Sequence, residues 1–235
     1  MIANNTNTQS RLMDNHPLFL HKLHAALHEP LPGLAAQLKM AAPDRVIIPE
    51  IGAHPRQAAI IIILYPLQKE LMVLFTRRTQ MVSHHRGQIC FPGGRIEENE
   101  TVEMAALREA EEELGAPMHH IQILGKLTSL YVSASHNMVH PVIGWLPILP
   151  NLTPNPFEVA SVLHIPLTAL LDTTNQKPYQ KRSTAPGERT PCYWIGESCI
   201  WGATAMMTSE LVEVVNTILG NGNKETGRRT YPIAP

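Results

Sequence analysis

A chain of 235 residues with 44% hydrophobic residues can build a real core, either as one large domain or as one domain with extensions. The formal net charge is −1 and no lysine- or arginine-rich run occurs, which excludes a broad basic surface for nucleic acid. The longest apolar run, 58–64, is far too short to span a bilayer, and the polar first ten residues lack an apolar signal core, so the expectation is a cytoplasmic protein without membrane association.

Cys90, Cys192 and Cys199 are an odd count without a C-x-x-C pair, which argues against a disulfide framework and fits a reducing compartment. Residues 1–10 read as a disordered tail, 11–220 as a single domain that opens with a helical extension, and 221–235 as a loose tail. Within 17–28, Phe19, Leu23, Ala26 and Leu27 fall at helical spacing, and the Pro-Leu-Pro-Gly of 30–33 stops that helix. A second short helix is expected over 34–40. The isoleucine-rich run 58–65 lacks polar alternation and reads as a strand covered on both faces. A turn over 66–70 leads to an antiparallel partner over 71–77, and 78–95 reads as a long functional loop.

Asn99 or Thr101 can cap the next helix, which runs to about Leu114 and is ended by Gly115 and Pro117. Strands follow over 120–131 and 138–146, then an apolar segment over 158–165, Pro166 and a short helix over 167–171. Residues 172–191 read as an exposed loop and 193–195 as a last strand. A helix over 203–219 carries Met207, Leu211, Val214, Val215 and Ile218 on one stripe. No internal repeat is visible, and the pattern is mixed α/β.

Segment 94–116 carries the chemistry. Glu109, Glu112 and Glu113 are spaced i, i+3, i+4, which sets three carboxylates on one side of a helix. Two such groups about 4 Å apart repel by about 1 kcal/mol in bulk water and by about 4 kcal/mol at a surface-like dielectric. An acidic run is often only a solvated face; here it is bounded by Gly93-Gly94 and by Gly115, which favours carboxylates offered to a cation. Hard oxygen donors suit Mg²⁺ or Mn²⁺. Upstream, Arg77, Arg78 and Arg86 with His84 and His85 form a basic cluster that leads into the glycine pair. An ordinary polar loop is the plain reading; phosphate recognition is the functional one. His119 and His120 read as surface residues, Trp201-Gly202-Ala203 as a helix start packed on the core, and Met206 and Met207 as core filling.

Gly94, Glu100, Arg108, Glu109, Glu112, Glu113 and Gly115 match every fixed letter and spacing of the Nudix box, G-x5-E-x7-R-E-U-x-E-E-x-G-U, with Ala110 and Ala116 at the apolar U positions. The chain thus resembles the Nudix hydrolases. Residues 74–95 also resemble the signature of their coenzyme A pyrophosphatase branch, L-L-T-x-R-[SA]-x3-R-x3-G-x3-F-P-G-G. Leu74, Thr76, Arg78, Gly87, Phe91, Pro92, Gly93 and Gly94 are kept; Phe75, Thr79 and Ser83 depart. Stretches 31–45, 130–146, 158–171 and 200–215 resemble the same branch.

The resemblance implies a mixed β-sheet sandwiched between helices (α/β/α). It implies Mg²⁺-dependent cleavage (Mn²⁺ as substitute) of the diphosphate of coenzyme A or acyl-coenzyme A to 3′,5′-ADP and (acyl-)4′-phosphopantetheine. Glu109, Glu112 and Glu113 would be metal ligands, Arg108 would orient Glu109, and Glu109 or Glu158 would be the general base. Arg77, Arg78, His84, Arg86 and the backbone at Gly93 and Gly94 would bind substrate, with Glu100 and Gly115 structural or in the outer shell. The expected partner is a small nucleotide, with no nucleic acid or membrane; family members are often homodimers. One rival is a Nudix enzyme for ADP-ribose, NADH or a nucleoside triphosphate. Another is a Nudix-fold binding module without catalysis.

Overall fold

The computed structural model describes residues 16–80, 86–179 and 189–220. Both expected tails, His84, Ser83 and most of the second half of the 172–191 loop lie outside those residues.

The chain enters with helix α1 (His16–Leu27) and the short helix α2 (Gly33–Gln37), extended by a 3₁₀ turn over Leu38–Met40. A mixed sheet follows, built around β1 (Arg56–Leu67). β1 pairs antiparallel with β2 (Glu70–Arg78) at its C-terminal half and with β4 (Gly93–Arg95) at its N-terminal half. On its other edge it runs parallel to β7 (Asn137–Trp145). That parallel pair needs a crossover, and helix α3 (Val102–Leu114) lies within it. Around this centre, β3 (Ile89–Cys90) and β8 (Val159–Pro166) pair with β2, while β5 (Gln122–Lys126) and β6 (Leu130–Val132) pair with β7.

The isoleucine run explains the layering. Ala58, Ile62 and Leu64 face a core shared with α1 and with the long helix α5 (Gly202–Ile218). Ala59, Ile61, Ile63 and Tyr65 face the opposite core, where Ala105, Ala106, Ala110 and Leu114 of α3 pack. With both faces covered, polar alternation has no place in β1. Each fully buried isoleucine contributes roughly 1.5–3 kcal/mol. The sheet is therefore sandwiched between helices, as expected.

Several expectations need correction. The 78–95 loop contains the two short strands β3 and β4. The expected strand over 120–131 is split into β5 and β6, with a register shift between Ile123 and Gly125. The apparent exposed loop 172–191 contributes β9 (Gln176–Tyr179) and the start of β10 (Thr190–Ile195), after the short helix α4 (Leu167–Leu171). β11 (Ser198–Trp201) completes a small three-stranded sheet with them. Its members are short, and β9 is polar and carries Pro178, so neither alternation nor an apolar run announces it. Cys192 and Cys199, expected as unpaired, are joined by a disulfide between the adjacent strands β10 and β11; Cys90 is the free cysteine among the described residues.

Candidate active site

Helix α3 is fixed at both ends by side-chain and backbone chemistry. The Thr101 hydroxyl accepts from the Met104 N–H at 3.2 Å, which satisfies one of the free donors of the first turn. At the other end Gly115 sits at φ +62° and its N–H donates to the Glu111 carbonyl. A Cβ there would lie 1.9 Å from the Thr153 carbonyl oxygen, so glycine is required by backbone conformation and by space together.

The carboxylate face is organised by Arg108. Its guanidinium donates to Glu100 at 2.7 and 3.1 Å, to Glu109 at 3.1 Å, to Glu112 at 3.4 Å and to the Arg95 carbonyl at 3.0 Å. Glu100 also accepts from the Glu97 N–H at 3.0 Å, so the turn entering the helix is tied to Arg108, and Arg108 holds that carboxyl below its usual range. Glu109 packs directly on β4: a Cβ on Gly94 would come within 2.4 Å of the Glu109 carboxylate. Gly93, at φ +148°, is held against β1, where a Cβ would lie 2.3 Å from the Ala59 oxygen.

The three helix carboxylates differ in environment. Side-chain exposure is 58% for Glu112, 17% for Glu109 and 3% for Glu113. Glu113 faces Arg78 at 3.7 Å and the Gly93 N–H, yet its Oε2 is buried without a hydrogen-bond partner. Burial pushes its carboxyl up to about 8, with Glu158 and Glu109 adding to the rise and Arg78 opposing it. Burial also raises Glu109, against the pull of Arg108.

Glu158 is brought to this face by the segment after β7. Thr153 and Asn155 donate their N–H groups to the Leu114 and Glu113 carbonyls, both at 2.9 Å, and the Asn155 side chain donates to Glu158 at 3.2 Å. Thr79 fixes the far side, its N–H donating to the Glu158 carbonyl and its hydroxyl to that of Phe157. Glu109, Glu113 and Glu158 therefore sit within one electrostatic neighbourhood. Among the described residues no three acidic or imidazole groups converge closely enough to hold a metal ion, because Glu112 turns outward to Arg108. The donor chemistry nonetheless fits a hard divalent cation: the groups are carboxylate oxygens, and one of them is buried and unpartnered.

On the other side of β4 lies a cleft of about 540 Å³. Gly93, Gly94 and Arg78 line it, as do Arg45, Arg56 and Arg95, with no acidic side chain among the described lining residues. Of the expected phosphate binders, Arg78 and the glycine pair are at this cleft. Arg77 donates to the Ser198 hydroxyl at 3.0 Å, and neither Arg77 nor Arg86 lines the cleft. His84 lies outside the described residues. Trp201, Gly202 and Ala203 do begin a helix, and they also form part of the cleft wall. Cys90 lines it too, but burial pushes its thiol up to about 11, which leaves it unsuited as a nucleophile. Arg45, Arg56, Arg95 and Asn155 were not singled out from sequence, since isolated arginines and one asparagine give no local pattern.

The NUDIX domain matches residues 54–189, which spans β1 through the carboxylate helix to the edge of the small sheet. A Photorhabdus laumondii protein described as uncharacterized Nudix hydrolase NudL is 32% identical over 180 residues, covering 76% of this chain and 93% of that one. Its Yersinia pestis counterpart is 32% identical over 183 residues, covering 77% and 91%. Among solved structures, the Nudix hydrolase RenU of M. smegmatis is 20% identical with a TM-score of 0.48, over 74% of this chain and 96% of that one. The domain match and the relatives, with every fixed residue of the box in place, show that the chain belongs to the Nudix hydrolase family and hydrolyses diphosphate bonds.

Proposed function

We propose that the protein is a pyrophosphohydrolase of coenzyme A or acyl-coenzyme A that releases 3′,5′-ADP and (acyl-)4′-phosphopantetheine. One juxtaposition carries this reading: the Glu109–Glu113 carboxylates and an arginine-lined cleft meet at the two sides of β4. A diphosphate repels nucleophiles, so neutralising its charge is the main task. Glu109 and Glu113, with Glu112 once released from Arg108, would hold Mg²⁺ (or Mn²⁺), which would supply charge neutralisation and lower the pKa of a water. The chain's own residues do the rest. Arg78 and Arg95 offer cationic donors in the cleft that the glycine pair also lines. Gly93 and Gly94 line the cleft with their backbone, and the absence of side chains there lets β1 and the Glu109 carboxylate pack against β4. Glu109, its carboxyl raised by burial and held by Arg108, accepts the proton of the attacking water; Glu158 is the second candidate base. Water adds to one phosphorus as the bond to the bridging oxygen breaks.

A cytoplasmic homodimer with no nucleic-acid or membrane partner, folded as one domain over 11–220, completes the reading. Among the described residues no helix is long and apolar enough to cross a membrane. The test is a substrate panel of coenzyme A, ADP-ribose, NADH and nucleoside triphosphates with Mg²⁺ and with Mn²⁺, products identified by mass. Preferred cleavage of coenzyme A to the two named products is expected. A higher kcat/KM for ADP-ribose or a triphosphate overturns the substrate, and coenzyme A binding without cleavage overturns the chemistry.

A further inference from the structure

The cleft holds more positive charge than a diphosphate alone requires. Besides Arg78 and Arg95, Arg45 and Arg56 line it. These last two are fastened to one short segment, β6 and the turn that follows it: Arg45 Nη2 donates to the Tyr131 carbonyl at 3.0 Å and Arg56 Nη2 to the Ser135 carbonyl at 2.7 Å. Each bond orients a guanidinium while leaving other N–H groups over. The Arg45 Nε is buried without a hydrogen-bond partner, and burial lowers the Arg45 pKa against the pull of the neighbouring Asp44. Two preset guanidiniums that line one cleft and are tied to one segment match a dianionic phosphate, which guanidinium binds in bidentate fashion.

The spacing also suits a substrate with two separate anionic groups. Gly94 pairs with Ala59 on β1, and Arg56 lies three residues earlier on the same strand, which at about 3.3 Å per residue is roughly 10 Å away. We propose that Arg45 and Arg56 form a second anion subsite that holds a phosphomonoester on the ribose of the substrate, apart from the diphosphate that is cleaved. The inference rests on the proposed nucleotide pyrophosphohydrolase activity and adds a specificity device to it.

The test uses the full chain with Mg²⁺ and two substrate pairs: coenzyme A against 3′-dephospho-coenzyme A, and NADPH against NADH. In R45Q and in R56Q the preference for the phosphorylated member should fall by about 10-fold, the scale of a lost charge-assisted hydrogen bond. The loss should sit in KM rather than kcat, and R56K should recover part of it. A loss confined to the first pair assigns the 3′ position; one confined to the second assigns the 2′ position. No preference in the natural chain, or a preference unaltered in both variants, overturns the subsite. If the natural chain cleaves none of these compounds, the hydrolytic reading has failed and calorimetry decides the subsite. Tighter binding of 3′,5′-ADP than of 5′-AMP, weakened in R56Q, upholds it; equal binding of the two nucleotides ends it.

Discussion

Glu113 shows how one side chain records a missing partner. It is nearly inaccessible, one oxygen has no hydrogen bond, and the nearest cation, Arg78, stands at 3.7 Å. Burial raises its carboxyl from an ordinary 4.5 to about 8, so the folded protein holds a proton there that the unfolded chain has released. The contribution favours the folded state below pH 4.5 and is lost as pH rises toward 8, because the unfolded chain binds fewer protons in that window. A divalent cation at this carboxylate competes with the same proton. The rise in melting temperature produced by a fixed Mg²⁺ concentration should therefore grow between pH 6 and pH 9, measured by scanning calorimetry. A rise independent of pH, or none at any pH, contradicts cation binding at Glu113. The sequence makes this residue legible through its spacing from Glu109 and Glu112. It does not reveal that the three carboxylates occupy three different environments, since burial is decided by β4 and by the 153–158 segment.

At the scale of elements, helix α3 and the segment beyond it work as a unit. Gly115 ends the helix, and the oxygen of Thr153 fills the space where a side chain would stand. Gly115→Ala places a Cβ in a left-handed conformation, which costs about 1–2 kcal/mol, and drives it into that oxygen. A loss of more than about 2 kcal/mol in urea unfolding is expected, with a fall in kcat, because Asn155 and Glu158 hang from the displaced segment. Destabilisation with kcat unchanged would remove Glu158 from the reaction. The helix and its stop at Gly115 follow directly from residue order, whereas of the two possible caps, Asn99 and Thr101, the structure selects Thr101. The strands β9 and β11 do not, since a polar strand and a short strand have no periodicity to read. The parallel pairing of β1 with β7 is likewise a product of the chain path rather than of either strand's composition.

The whole molecule is tied together by a buried acid that no motif marks. Glu210 of α5 accepts from the Gly33 N–H at 3.1 Å, the Gln37 side chain at 2.8 Å, and the Thr128 N–H and hydroxyl at 3.2 and 2.6 Å. One carboxylate thereby joins the short helix α2, the turn between β5 and β6, and the C-terminal helix. Glu210→Ala leaves these donors unmet and should cost about 3–5 kcal/mol, a drop in melting temperature on the order of 10 °C. A drop of only a degree or two would mean that these elements dock by apolar packing alone. Glu210 is thus expected to serve folding and Glu113 is proposed to serve hydrolysis as a metal ligand, and the two roles predict opposite behaviour on substitution. The most direct measurement is kcat/KM for coenzyme A in Glu113→Gln at saturating Mg²⁺, beside its melting temperature without metal. Turnover should fall by at least about 100-fold, while the melting temperature moves by no more than about 4 °C. Turnover within a few-fold of the natural chain in a folded Glu113→Gln protein would contradict a cation-assisted diphosphate hydrolase centred on this helix.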